Sequence, residues 1–417
     1  MKFDTIIIGG GLAGLVSGIR LQESGCKCAI VSTGQSALHF SSGAFDLLGR
    51  LPDGTEVMNP LEAVAKLEPS HPYIQIGAET MKRYDKEFPA MMQRAGIILT
   101  GSASRNSYHF TPMGTMKRTW LTLNDFVTLD DASSHLPWQK VAISNFPGFL
   151  DFYTKFIADE LEKQGATCVL ATVKLPFIEK LRANPTEMRS AGIARTFDKT
   201  EHIDMLIRES APYCKDVEAV VMPAVFGLSS AAPVDYLKQH LGKPLCLLAT
   251  MPPSVPGIRM QQQLTHYFVH QGGTFMLGDT VERADVDGGR VEAVYTVNHA
   301  DIPLMADNYI LATGSFFSRG IIARPDSVYE PIFDLDVLYD ADRSKWYDND
   351  MFASQNYMKY GVITAPGFRA VRKGETLTNL YAVGSVLAGH DALHEGCGGG
   401  VSIMSAMYVA DGLLKNK

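Results

Sequence analysis

The sequence is short of several things, and each shortage removes a class of function. Its six cysteines, at 26, 28, 168, 214, 246 and 397, include no C-x-x-C pair. Such pairs mark iron–sulfur and structural zinc sites, so no metal centre is expected on this chain. Cys26 and Cys28 fall on one face of an expected strand and read as small buried hydrophobes. Scattered thiols of this kind suit a reducing cytoplasm. Basic clusters are lacking too. Lys and Arg are dispersed through 417 residues of net charge −7, which argues against a nucleic-acid partner. No apolar run reaches the roughly 18–20 residues of a bilayer span. The stretch from Thr5 to Val16 is broken by glycines. The start, Met1-Lys2-Phe3-Asp4, has an acid where a secretory leader carries cations. The expectation is a soluble or peripheral protein, anchored at a membrane, if at all, by another chain.

What is present is a large apolar complement. Hydrophobic residues make up 46% and charged residues 20%, enough for a substantial core in two or three domains. Phe3 to Ile8 is a continuous apolar run of the kind found in a buried parallel strand. Gly9-Gly10-Gly11-Leu12-Ala13-Gly14 follows at once, then a helical pattern from Leu15 to Ser24 stopped by Gly25, then a second strand from Cys26 to Val31. Gly9, Gly11 and Gly14 thus form G-x-G-x-x-G between strand and helix. The first glycine allows the tight turn, the second lets backbone approach a phosphate, and the third lets helix pack on strand. The helix N-terminus then offers free N–H groups to an anion.

The same type of domain resumes near residue 250. A helix is expected over 257–271, a strand over 274–277, and a hairpin of 281–284 with 290–297 around Asp287-Gly288-Gly289. Strands follow over 309–313, ending in Ala312-Thr313-Gly314, and over 380–383, leading into Gly384-Ser385. Gly396 to Val401 opens a last helix over 402–414. Between 51 and about 250 the character changes, with many prolines, the polar loop Gly101 to Tyr108, a strand at 141–145 and a helix at 150–164. That region reads as an inserted cap or substrate domain.

Two expected acids are missing. An Asp or Glu normally ends the second strand and binds the adenosine ribose, but that place falls at Ser32 or Thr33. Leu380 to Ser385 is similar to the late strand of flavin oxidoreductases, where an acid usually follows the glycine; here it is Ser385. A flavin mononucleotide needs no ribose clamp, so both absences point to FMN, with FAD as the alternative. Glu395-Gly396-Cys397-Gly398-Gly399-Gly400 lets backbone approach a flat ring closely, and the loop His39-Phe40-Ser41-Ser42-Gly43 is placed to pass beside it. Cys397 is either a redox-active thiol or simply small. Among candidate bases, His390 and His394 flank the glycine-rich loop more closely than His39. Candidate clamps for a substrate anion are Arg118, Arg259, Arg319 and Arg324, with Arg259 preferred. The expected fold class is α/β. A discontinuous Rossmann-like flavin-binding domain takes residues 1–50, 250–325 and 375–417, and the cap takes 51–249 and 326–374.

Several stretches together resemble one family. FDTIIIGGGLAGL, GQSALHFSSGAFDLL, PPSVPGIRMQQQL, NHADIPL with LATGSFFSRG, and LYAVGSVLAGHDALHEGCGGGVSIMSA are similar to the B subunits of anaerobic glycerol-3-phosphate dehydrogenases. The resemblance runs nearly end to end and is looser from about 75 to 240. It implies an FMN protein paired with an FAD-containing partner subunit, and an iron–sulfur, membrane-anchoring partner that attaches the pair to the cytoplasmic side of the inner membrane. It also implies oxidation of sn-glycerol 3-phosphate to dihydroxyacetone phosphate, with electrons passing to quinone. The chain would either oxidise the substrate itself or only relay its electrons. The relay is slightly favoured, because no acid–base pair stands out. The rival readings are a fumarate-reductase-like FAD enzyme acting on a small carboxylate and a flavin-free assembly protein.

Overall fold

The structure is a computed structural model, and it describes residues 2–131, 136–184 and 186–415. The N-terminal apolar run forms β1 (Lys2–Ile8), the glycine turn leads into α1 (Leu12–Glu23), and β2 (Cys28–Ser32) completes a βαβ unit. Every residue of β2 is buried, as a strand covered on both faces must be. The later part of the chain adds α2 (Val255–His270), β3 (Thr274–Leu277), β4 (Met305–Leu311), β5 (Glu375–Ala382) and α3 (Gly398–Lys415). The sheet runs β3-β2-β1-β4-β5, all parallel, and ends in two short antiparallel strands, Arg369–Arg372 and Thr364–Ala365. This is the doubly wound α/β arrangement expected from the sequence. A ligand in such a sheet sits beyond the carboxyl ends of the strands. Here β1, β4 and β5 deliver Gly9, Gly314 and Gly384 to that edge.

Gly18 sets how closely α1 approaches the sheet. A Cβ there would lie 2.9 Å from Ile30 Cδ1 and 3.1 Å from Ile7 Cδ1. The helix N-terminus is therefore held tight over the sheet edge, which fixes where its N–H groups point.

The inserted region holds a second parallel sheet. Its strands run in the order Thr167–Thr172, Lys140–Asn145, Ala219–Pro223, Leu245–Leu248. The expected strand at 141–145 is its second member, and the expected helix over 150–164 is observed as Thr154–Lys163. A separate apolar core surrounds this sheet and draws on residues from Tyr108 to Leu248. Apolar residues from Val57 to Ala103, from Trp120 to Leu123 and from Val328 to Leu377 are instead found in the core of the first sheet, Met58 excepted.

Candidate flavin site

The glycine turn is folded as phosphate binding requires. Gly9 has φ 116°, and a Cβ on it would stand 2.2 Å from the Ala312 carbonyl oxygen. A Cβ on Gly14 would come within 1.9 Å of the Gly9 carbonyl oxygen. Neither place admits a side chain. Gly11 precedes α1 in extended backbone, no side chain caps the helix, and no acid lies in its first turn. The amides of Leu12 and Ala13 have no intrahelical acceptor, and the positive end of the helix is uncompensated.

Other segments close on this turn. β4 delivers Thr313, whose Oγ1 is buried without a hydrogen-bond partner, and Gly314 at φ 81°. Gly384, at φ 77°, packs where a Cβ would lie 2.8 Å from the Ala13 Cβ, and its N–H donates to Ser405 Oγ at 2.9 Å. Ser385 follows, half-buried. The loop after β2 is tied to α2: Ser36 Oγ and His39 Nδ1 lie 2.8 and 2.7 Å from Gln261 Oε1. Gly257 lets the loop seat closely, since a Cβ there would be 2.1 Å from the Leu38 carbonyl oxygen. Half-buried Ser41 and Ser42 and then Gly43, at φ 95°, lead from this anchor toward the last glycine turn. At that turn, Gly399 lies against the Asp46 backbone, Gly398 against Ala392, and the Gly49 N–H donates to the Glu395 carbonyl at 2.8 Å. Gly396 has φ 59°. Segments spread across the whole chain thus meet at one site.

At the end of β2 the structure supplies no replacement acid. Ser32 Oγ donates to the Gly34 carbonyl at 3.0 Å and sits against Gly10, with the Phe275 ring packed at the same point. Asp279 is adjacent, but its carboxylate already accepts from the Thr280 and Asn298 amides, at 2.9 and 3.1 Å, and lies 3.0 Å from His299 Nδ1. Burial pushes its pKa up, but hydrogen bonds from Thr296, Asn298, His299 and Thr280 outweigh this and hold it below the usual carboxylate range.

Beside the last glycine turn lies a buried polar cluster. The ring of His390 is 3% exposed, its Nδ1 has no partner, and burial lowers its pKa to about 4. His394 is half-buried, with its Nε2 enclosed and unpartnered. Cys397 is wholly buried, and its Sγ lies 3.5 Å from Glu395 Oε2. Burial and then the Glu395 charge raise this thiol well above its ordinary pKa, so it is not a poised nucleophile. His71 and Tyr73, absent from the sequence-based expectations, complete the cluster. His71 Nε2 is 3.4 Å from Glu395 Oε2, and Tyr73 Oη donates to the Leu47 carbonyl at 2.6 Å. A histidine over 300 residues before the turn carried no local signal of this meeting.

His71, Glu395 and Cys397 offer three ligand atoms within 4.8 Å of one another. Their hydrogen bonds speak against a cation there. His71 Nδ1 accepts the Tyr73 N–H at 3.1 Å, so the ring proton sits on Nε2, the atom a metal would need.

The four candidate arginines separate clearly. Arg259 Nη2 binds Asp125 Oδ2 at 2.6 Å and Nη1 reaches the Gly227 carbonyl at 3.2 Å, so this guanidinium ties α2 to the inserted region rather than facing a ligand. Arg319 and Arg324 are exposed beyond β4. Of the four, Arg118 lies nearest the last glycine turn, its Cβ 3.9 Å from where a Cβ on Gly49 would stand, beside Glu395 and Gly396. Its Nε is buried and unpartnered, and its one ion-pair partner is Glu56, 61% exposed. An open cleft of ≈470 Å³, lined by Arg83, Tyr84, Arg369, Tyr381 and Tyr408, lies toward the opposite end of α3 and takes no part in this site.

Fold and site together define a flavin-binding oxidoreductase of the Rossmann-like type. The family described as FAD binding domain matches residues 4–401. Within that class the chain belongs to the B subunits of anaerobic glycerol-3-phosphate dehydrogenase. It is 46% identical to the protein of that name from Yersinia enterocolitica over 415 residues, covering 99% of this chain and 98% of the relative. Identity is 44% to the Pectobacterium atrosepticum protein, over 100% of this chain and 99% of the relative. It is 37% to the Actinobacillus pleuropneumoniae protein, over 99% of both. The family resemblance read from the sequence is thereby established, and so is a flavin as the cofactor class.

Proposed function

We propose that this chain carries the flavin through which electrons leave sn-glycerol 3-phosphate, as it becomes dihydroxyacetone phosphate, on their way to a quinone. The observation that carries this reading is the uncapped N-terminus of α1, closed on by Gly9–Gly14, the Ala312–Thr313 backbone that leads into Gly314, and Gly384, which packs on both Ala13 and Ser402 of the helix opened by Gly398–Gly399. In this reading the amides of Gly11, Leu12 and Ala13 hold the flavin phosphate, and the loops Ser41–Gly43 and Gly396–Gly399 flank its ring. A bound flavin would supply two-electron uptake and one-electron release. No histidine beside the turn is presented as a base: His390 is enclosed and His394 half-enclosed. That favours the relay role, with dehydrogenation on an FAD-containing partner and delivery through an iron–sulfur partner. No helix among the described residues is long and apolar enough to cross a membrane, so attachment on the cytoplasmic side falls to a partner. The flavin domain takes residues 1–50, 250–325 and 375–417, joined by the parts of 57–123 and 328–377 that share its core.

Two flavins are in play. Ser32, bonded back to Gly34, and the occupied Asp279 favour FMN. The family description favours FAD. The mass of the flavin released from purified protein by acid decides between them.

Arg118 supports a second reading, in which the chain itself binds the substrate phosphate. Its counter-ion Glu56 is exposed and replaceable. Anaerobic mixing of the flavin-loaded chain with glycerol 3-phosphate separates the two. The relay predicts a flavin that stays oxidised until the FAD-containing partner is added. Bleaching by substrate in the isolated chain would favour direct oxidation.

A further inference from the structure

Glu395 is a carboxylate almost wholly out of water, with no cation in contact. The groups around its Oε2 are neutral: the Asp391 N–H donates at 3.1 Å and the Cys397 thiol at 3.5 Å, while His71 Nε2 stands 3.4 Å away outside hydrogen-bond geometry. The last is neutral because Nδ1 is occupied by the Tyr73 amide. An isolated buried carboxylate is costly to keep ionised and survives only through such donors. The residue is followed at once by Gly396, and its carbonyl receives the Gly49 and Arg50 amides at 2.8 and 3.0 Å. Its charge is therefore fixed to the turn where the ring is proposed to lie.

We propose that the Glu395–His71 pair is the redox-linked proton acceptor of this protein. The inference rests on the flavin reading above and deepens it. Two electrons arriving at the flavin from the polyol phosphate add negative charge beside a carboxylate in a low-dielectric pocket. Repulsion between the two is relieved when one proton from solvent joins the Glu395 carboxylate, forming an O–H bond, while the second proton goes to the flavin. On reoxidation both protons leave. The other titratable groups facing the pair are His390, with its ring 6.2 Å from that of His71, Asp391, Cys397, Tyr73 and Asp46. His390 and Cys397 are neutral at neutral pH, and Asp391 is held by the Leu393 and His394 amides at 3.2 and 3.0 Å. Asp46 is paired with Lys117, and Asp391 has a third donor in the Ser354 hydroxyl at 3.3 Å. Burial raises the pKa of Glu395 but hydrogen bonding outweighs it, so the group is ionised at rest. It accepts fewer hydrogen bonds than Asp391 and directly precedes Gly396, which makes it the carboxylate placed to take the proton.

The test is a spectroelectrochemical titration of the flavin-loaded complex across neutral pH, with a reduced-minus-oxidised infrared spectrum. Wild type should take up one proton per electron and show a protonated-carboxyl band on reduction. Glu395→Gln should lose that band, lose half of the pH dependence of the potential and have a higher potential. A merely structural glutamate would change flavin occupancy or melting temperature without moving the slope. An unchanged slope in Glu395→Gln overturns the proposal. So does the absence of a carboxyl band in wild type, a readout that stands even if the variant fails to fold. A chain that binds no flavin would instead sink the underlying reading together with this one.

Discussion

Arg259 Nη2 lies 2.6 Å from Asp125 Oδ2, and both side chains are 5% exposed or less. Lys238 Nζ approaches the other carboxylate oxygen at 3.2 Å. The pair joins α2, part of the flavin domain, to the segment that leads into the inserted sheet. Removing one partner of a buried ion pair leaves an uncompensated charge and costs about 3–5 kcal/mol. Asp125→Asn, which strands the buried Arg259, should therefore lower the urea midpoint of the chain strongly, and Arg259→Met less, because Lys238 still meets Asp125. An Arg259→Lys protein of unchanged midpoint and a raised KM for glycerol 3-phosphate in the complex would restore the role of phosphate clamp.

The fingerprint glycines should not respond alike to alanine. A Cβ at Gly11 would find its nearest neighbour 3.7 Å away, at Ser36 Cβ, in ordinary contact. Gly11→Ala should fold with a nearly unchanged melting temperature but bind flavin more weakly, because the methyl stands where phosphate approaches. Gly14→Ala, 1.9 Å from a carbonyl oxygen, should lose several kcal/mol of stability as well as flavin. Thermal melting and flavin absorbance on the same preparations check this.

These contrasts mark what was legible in the sequence. The β1–α1–β2 unit was readable because its apolar runs are continuous and its glycines sit at a strand–helix junction, and each expected element is found within a few residues. The second parallel sheet was not. Its edge strand Thr167–Thr172 has only Ala171 fully buried, so the continuous apolar signature of a parallel strand is missing. The glycine loops were legible because backbone access leaves a mark in composition. The role of Arg259 was not, since a guanidinium reads the same whether it meets Asp125 or a phosphate. His71 escaped for a related reason: its meaning lies in Tyr73 and Glu395 rather than in its own neighbourhood.

Arg118 gives a prediction that bears on which member of the complex meets substrate. If this chain binds the phosphate, Arg118→Ala should raise KM for glycerol 3-phosphate in the complex by about 10–150-fold, the range for losing a charge-assisted hydrogen bond of ~1.5–3 kcal/mol. Arg118→Lys should recover part of the loss. If the chain only relays electrons, both variants should leave KM unchanged. Steady-state kinetics of the three complexes is sufficient.

His390 sets the acid side of stability. Its ring is buried, and burial lowers its pKa from 6.5 to about 4 in the fold. Between those values the unfolded chain binds a proton that the folded chain does not. The contribution of His390 to stability should therefore fall as pH drops from 6.5 toward 4, by about 3 kcal/mol in all. His390→Gln should remove this contribution and leave the opposing one of Glu330, read in urea titrations at stepped pH.

Glu330 should produce a slope of opposite sign over nearly the same range. Its side chain is 1% exposed and accepts the Ile332 and Phe333 amides at 2.9 and 2.7 Å. Burial nevertheless dominates and raises its pKa from 4.5 to about 7. Here the folded state holds the proton that the unfolded state has lost, so stability declines as pH rises from 4.5 to 7 and is level above that. The magnitude is again about 3 kcal/mol. In wild type the two slopes oppose each other and the profile from pH 5 to 6.5 should be shallow. Removing His390 should uncover a stability that falls as pH rises, and Glu330→Gln one that falls as pH drops. Because the two groups act independently, the double variant should again be shallow. A steep profile in the double variant would mean that some other buried group governs this range.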